Sequence, residues 1–188
     1  MKKILTFTLI GMLCFSLISC SEGSKENTST QQPTEAAETY ALPTGYRYYD
    51  NGNLRFAYPE VWERTTSEGV TLLKAEKNSN GNNVTIARDP YSDEYLTMTD
   101  EEFETSIKSS YESVGMSVKS CKVTQVENEF GVKMTKLTCQ TKADYSEWMN
   151  QTAFVIAAGS FNYTITVTEA VSDASLVDAV FQSLRALK

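Results

Sequence analysis

Thiols and carboxylates are the groups with which this chain could do chemistry. Its 188 residues hold four cysteines, 24 Asp and Glu, 17 Lys and Arg, and no histidine. Without an imidazole there is no Ser-His-Asp or Cys-His nucleophile, no imidazole metal ligand and no side chain that titrates unperturbed near neutral pH. A closed zinc site built on thiolates needs four ligands, and Cys14, Cys20, Cys121 and Cys139 do not leave four for one cluster. Carboxylates alone suffice for acid–base hydrolysis when two face one cleft, so a hydrolase using paired carboxylates is the alternative reading of function. The acidic run Asp100, Glu101, Glu102 and Glu104 invites a cation site, but reads better as carboxylates complementing the N-terminal dipole of a helix. The nine glycines form no Gly-x-Gly or Walker-type loop, so no phosphate cradle, cofactor or metal is expected. A net charge of −7 and a pI near 4.7 exclude nucleic acid as a partner.

Two of the four cysteines are explained by the N-terminus. Lys2 and Lys3 precede an apolar run from Ile4 to Ile18 that contains Cys14. At about 15 residues this run is shorter than the roughly 20 needed to span a bilayer, and it reads as the core of a signal peptide. The run closes on Leu17-Ile18-Ser19-Cys20, which resembles a bacterial lipobox. That resemblance implies removal of residues 1–19, a diacylglyceryl group on the Cys20 thiol, and an extracytoplasmic protein held to the cell membrane, the outer one in an organism with two. Two acyl chains anchor stably where one holds only marginally. Residues 20–44 are rich in Ser, Thr, Glu and Gln; they cannot bury enough apolar surface to offset ordering and form a flexible tether with a reach of about 27 Å.

The remaining cysteines, Cys121 and Cys139, lie on strands 118–127 and 132–141, joined through Glu129-Phe130-Gly131. A three-residue loop with Gly last fits a type I turn followed by a G1 bulge. Extending the pairing outward from Asn128 opposite Val132 sets Glu127 opposite Lys133, Val123 opposite Leu137 and Cys121 opposite Cys139. In a non-hydrogen-bonded pair the Cα atoms lie about 4.5 Å apart, within reach of a disulfide. A Cys121–Cys139 bridge is therefore expected, contributing about 3 kcal/mol on the loop-entropy model. No Cys-x-x-Cys marks a redox enzyme.

These residues need a scaffold, and residues 45–188 supply it. Asn51-Gly52 signals a hairpin between Tyr46–Asp50 and Asn53–Tyr58, with Leu54, Phe56 and Tyr58 facing inward. A second strand pair spans 70–75 and 83–88. Thr99 as N-cap with Glu102 forms a capping box, and Phe103, Ile107, Tyr111 and Val114 share one face of the helix that follows. After the cysteine hairpin comes another, 153–158 with 161–169 across Gly159-Ser160, pairing Phe154 with Ile165 and Ile156 with Tyr163. A terminal helix begins near Ser172 or Asp173 with the stripe Leu176, Val180, Leu184 and Leu187. Helix-covered hairpins in this order imply an α+β domain, a central antiparallel sheet of hairpins between helices in an α/β/α sandwich. Tyr46, Tyr48 and Tyr49 are the candidate binding surface, able to stack on a sugar or hold a peptide, whereas Tyr58 and Trp62 read as core.

The run Asn53-Leu54-Arg55-Phe56-Ala57-Tyr58-Pro59-Glu60-Val61-Trp62 resembles the opening of the PsbP-like family, in which a strand ends in an aromatic-Pro-x-x-Trp turn. The later order of strands and helices is similar too. Together with the related bacterial DcrB-like lipoproteins, that family implies an antiparallel sheet between helices and a non-enzymatic character. A family metal site involving histidine cannot carry over. The expected partners are the membrane, through lipid on Cys20, and an envelope protein or ligand of unknown identity; 144 folded residues are few for a two-lobed solute receptor.

Overall fold

The computed structural model describes residues 40–67, 69–75, 81–144, 146–170 and 173–187. The leader, Cys20, the tether up to residue 39 and Ser172 lie outside the described residues. In chain order the elements are β1 (Tyr46–Asp50), β2 (Leu54–Pro59), β3 (Trp62–Ser67), β4 (Val70–Ala75), β5 (Asn83–Pro90), α1 (Glu94–Thr97), α2 (Asp100–Glu112), β6 (Met116–Glu127), β7 (Lys133–Ala143), β8 (Met149–Ala158), β9 (Phe161–Glu169), α3 (Ala174–Ser183) and β10 (Arg185–Ala186). Seven strands form one antiparallel sheet in the order β3-β4-β5-β9-β8-β7-β6. The fold is α+β, but the first hairpin does not join the large sheet. It pairs instead with β10 in a separate sheet, β1-β2-β10.

The hairpin β8–β9 sits at the centre. Gly159 takes φ +62°, and the pairs Phe154–Ile165 and Ile156–Tyr163 are those the alternation predicts. Successive side chains leave a strand on opposite faces, and nearly every residue of β9 is buried. On one face Tyr163, Ile165 and Val167 join Phe154, Ile156, Leu54, Phe56 and Tyr58 with Leu176 and Val180 of α3 and Leu184 just past its end. On the other, Ala153 and Val155 pack with Leu137 and Cys139 under Phe103, Ile107 and Tyr111 of α2. Each of these large apolar side chains contributes about 1.5–3 kcal/mol by leaving water.

Helices α2 and α3 start where their capping residues place them. Thr99 accepts a hydrogen bond from the Glu102 amide, and the Glu102 carboxylate accepts one from the Thr99 amide. Asp173 caps α3 through the Leu176 amide. Their ends differ from the apolar periodicity. α2 stops at Glu112, leaving Val114 46% exposed. α3 stops at Ser183, whose hydroxyl donates to the Ala179 carbonyl and accepts from the Ala57 amide. The chain then turns extended, and Arg185 and Ala186 pair with Arg55 and Leu54; Leu187 donates its amide to Asn53 instead of extending the helical stripe.

The remaining corrections concern turns and register. The first hairpin turns on Gly52-Asn53, not Asn51-Gly52: Asn51 bonds Leu54, Asp50 pairs with Arg55, and Gly52 takes φ +82°. The Asp50 and Asn51 side chains hold the amides of Gly52, Asn53 and Leu54. Leu54, Phe56 and Tyr58 remain buried because moving a turn by one residue shifts the pairing by two. Strand β3 was not legible: after Trp62 its residues are all exposed and carry no alternation.

The β6–β7 hairpin keeps its expected register from Glu127–Lys133 to Lys122–Thr138. It then slips, so that Lys119 pairs with Gln140 and both Ser120 and Cys121 oppose Cys139. Ser120 absorbs the extra residue at φ +58°, a β-bulge in place of the direct cysteine pair. At the turn, Gly131 takes φ +72° and Asn128 accepts the amides of Phe130 and Val132. The Asn128 amide group donates to the carbonyls of Phe181 and Leu184. One buried side chain thus ties the sheet's longest hairpin to the end of α3. Asn128→Ala is expected to cost about 2–3 kcal/mol in denaturant unfolding, since it orphans buried amides and carbonyls together; a loss below about 1 kcal/mol would refute this coupling.

Candidate functional site

The thiol pair is built by the bulge and by α2. Cys139, on β7, is only 4% exposed. Its thiol faces the Gln151 side-chain carbonyl at 3.9 Å, and the Tyr111 hydroxyl donates to the same oxygen at 3.0 Å. Cys121, on the outer strand β6, is half-buried. The two thiols hydrogen-bond each other, which lowers the Cys121 thiol below its ordinary pKa. The same bond, reinforced by burial, pushes Cys139 up. Both are free thiols, and no S–S bond joins them.

Just beyond the bulge, Asp100 Oδ1 accepts the Val123 amide at 2.6 Å and pins the start of α2 to β6. Two of its acidic neighbours are similarly engaged. Glu102 completes the capping box, whose hydrogen bonds from Thr99 hold its carboxyl below the usual range, and Glu104 pairs with Lys108. Among the described residues no group of three or more Cys, Asp or Glu is placed to hold a metal ion. Asp100 and Glu102 thus hold backbone amides at the start of α2, while Glu104 pairs within the helix.

The tyrosines divide. Tyr49 is 4% exposed and stacks on Phe56 at 5.0 Å, so it belongs to the core and not to the candidate binding surface. Tyr46 is half-buried against the same core. Tyr48 remains half-exposed; its hydroxyl donates to the Tyr40 carbonyl at 2.9 Å, and the Arg55 guanidinium lies 5.4 Å from its ring. Arg55 is held in turn by two hydrogen bonds to Asp50 Oδ2. Tyr58 and Trp62 are core, as their positions imply.

A pattern the linear reading missed is that all five arginines lie over aromatic rings. Arg47 covers Tyr58, Arg55 Tyr48, Arg64 Tyr49, Arg88 Phe161 and Arg185 Phe130, at 3.6–5.4 Å. Such contacts shield ring faces while keeping the charge in water. The signal is cross-strand: Arg47 pairs directly with Tyr58.

No family profile matches the chain, and no curated protein matches it in sequence. Among solved structures it is similar to the solution structure of cyanobacterial PsbP (CyanoP) from Synechocystis sp. PCC 6803, with a TM-score of 0.61 at 14% identity, over 80% of this chain and 98% of that one. A crystal structure from Bacteroides thetaiotaomicron VPI-5482 overlaps at a TM-score of 0.39 and 15% identity, over 72% of this chain and 45% of that one. The first likeness shows a PsbP-like fold.

The division of the tyrosines is testable by stability. Tyr49→Ala is expected to cost about 3–5 kcal/mol, as for a buried aromatic, and Tyr48→Ala under about 1.5 kcal/mol. Equal losses in chemical denaturation would contradict the assignment.

Proposed function

We propose that this chain is a lipid-anchored extracytoplasmic protein whose PsbP-like domain binds or supports a partner at the cell envelope without catalysing a reaction. The observation that carries the proposal is the N-terminal run: Lys2-Lys3, an apolar core too short to span, and Leu17-Ile18-Ser19-Cys20. In this reading the leader is cleaved before Cys20 and the thiol carries lipid, as in DcrB-like lipoproteins. The tether reaches the domain at Tyr40, whose carbonyl is held by Tyr48. By its composition, the segment between Cys20 and Tyr40 would give the small sheet a reach of roughly 25 Å from the membrane surface. Tyr46 and Tyr48, with Arg55 and Asp50, are then the surface presented to a partner. Aromatic rings with adjacent paired charges provide contact area at low entropic cost.

Support for a non-enzymatic role comes from the absence of histidine and from the work the prominent carboxylates already do. Asp100, Glu102, Glu104, Asp50 and Asp173 hold amides, a lysine or an arginine. The experiment is Cys20→Ala in native cells. Acylation of the chain is expected to disappear, and the protein to leave the membrane fraction. An unchanged membrane fraction, or a wild-type chain lacking lipid on Cys20, would overturn the anchoring.

A further inference from the structure

We propose that Cys121 and Cys139 form an asymmetric dithiol which closes to a disulfide by exchange with an external disulfide, Cys121 being the entry thiol and Cys139 the resolving one. This goes beyond the envelope role and rests on different residues. Three features of the fold support it. First, β6 is the outermost strand of the large sheet, so a reagent can approach Cys121 from the sheet edge, where this residue is half-buried. Second, Cys139 lies one strand inward, buried among Leu137, Ala153 and Val155 beneath Ile107 and Tyr111, and a bulky disulfide cannot reach it directly. Third, the bulge sets Ser120 and Cys121 together opposite Cys139. There the ladder is interrupted, so Cys121 has local freedom to turn between solvent and its partner.

The chemistry balances with a disulfide as oxidant. Cys121 loses its proton to solvent, and its thiolate attacks one sulfur of the external disulfide. A Cys121 mixed disulfide forms, and one external thiolate leaves. Cys139 then attacks Cys121 Sγ. The Cys121–Cys139 bond forms as the mixed disulfide breaks, and the Cys139 proton departs with the second external thiol. The protein gives up two electrons and two protons, and the external disulfide is reduced to two thiols. The product joins β6 to β7 where their ladder is interrupted. Oxidation therefore firms the edge strand that Asp100 links to α2.

The test uses the full chain with oxidised glutathione as probe, followed by mass mapping of the peptides containing Cys121 and Cys139. Wild type should yield the two peptides joined, two hydrogens lighter, with no glutathione retained. Cys139→Ser, or Cys139→Ala should the serine variant not fold, should retain one glutathione on Cys121. Cys121→Ser should leave Cys139 unmodified in the native state, with a rate at least ~10-fold lower than that of Cys121, and expose it only on unfolding. The proposal is overturned if wild type keeps both thiols, if it retains glutathione on Cys121 without closing, or if Cys139 reacts as fast as Cys121. None of these outcomes bears on lipid at Cys20.

Discussion

Strand β9 is buried on both faces, and the other elements are arranged to satisfy that constraint. A strand covered on one side only can alternate apolar with polar and meet water. β9 cannot, so its Tyr163, Ile165 and Val167 need one apolar layer and its Thr164, Thr166 and Thr168 a second cover. α3 and the small sheet provide the first; on the other side Tyr95 of α1 hydrogen-bonds Thr164 and Asn162 donates to the Ser92 carbonyl, beside the layer that α2 builds over β7 and β8. Helices α2 and α3 are short and capped by side chains because each must begin at a fixed place over the sheet. Beginning elsewhere, α2 would carry Phe103, Ile107 and Tyr111 away from the β7–β8 surface.

The two faces are chemically unlike, and that separates packing from chemistry. The face under α3 is mainly aliphatic and aromatic, with Thr71, Thr152, Asn128 and Ser183 the buried polar residues at its margins. The face toward α2 holds buried threonines, Gln151 and the thiol of Cys139. Polar groups at such depth are costly unless hydrogen-bonded. Thr135 therefore donates to the Tyr95 carbonyl, and Tyr111 donates to Gln151. Burial also pushes the Tyr95 phenol up to about 12, so it stays neutral throughout the physiological range. The chemically distinctive residues of the domain thus gather on one side, below α2 and beside an accessible edge.

Much of this was readable from the chain where local chemistry decides the outcome. Gly159-Ser160 between alternating strands fixes β8–β9, Thr99 with Glu102 fixes the start of α2, and Gly131 fixes the register of Glu127 with Lys133. Legibility ended where a distant contact overrides local pattern. Leu184 and Leu187 continue the helical spacing, yet Ser183 meets the Ala57 amide and the chain turns to pair with β2. Nothing in Val118-Lys119-Ser120-Cys121 marks a bulge, since no glycine stands where φ turns positive. The adjacent Tyr48 and Tyr49 are indistinguishable by type, and only packing against Phe56 sends Tyr49 inward. At the candidate sites, the nearness of the two cysteines was legible, whereas their unequal exposure arises from the order of strands in the sheet.

Under the proposed lipid anchoring, a domain whose prominent carboxylates are engaged in capping and pairing would act through its surface. The half-exposed Tyr48 of the small sheet donates to the carbonyl of Tyr40, on the side from which the proposed anchor would lead, which makes that surface the one to probe. The most direct measurement is photo-cross-linking in native cells, with a photoreactive residue replacing Tyr48 and, as control, Glu101 on the exposed side of α2. The account predicts a discrete adduct with one envelope component from position 48 and none from 101. Absence of any adduct at 48, or the same products from both positions, would contradict it.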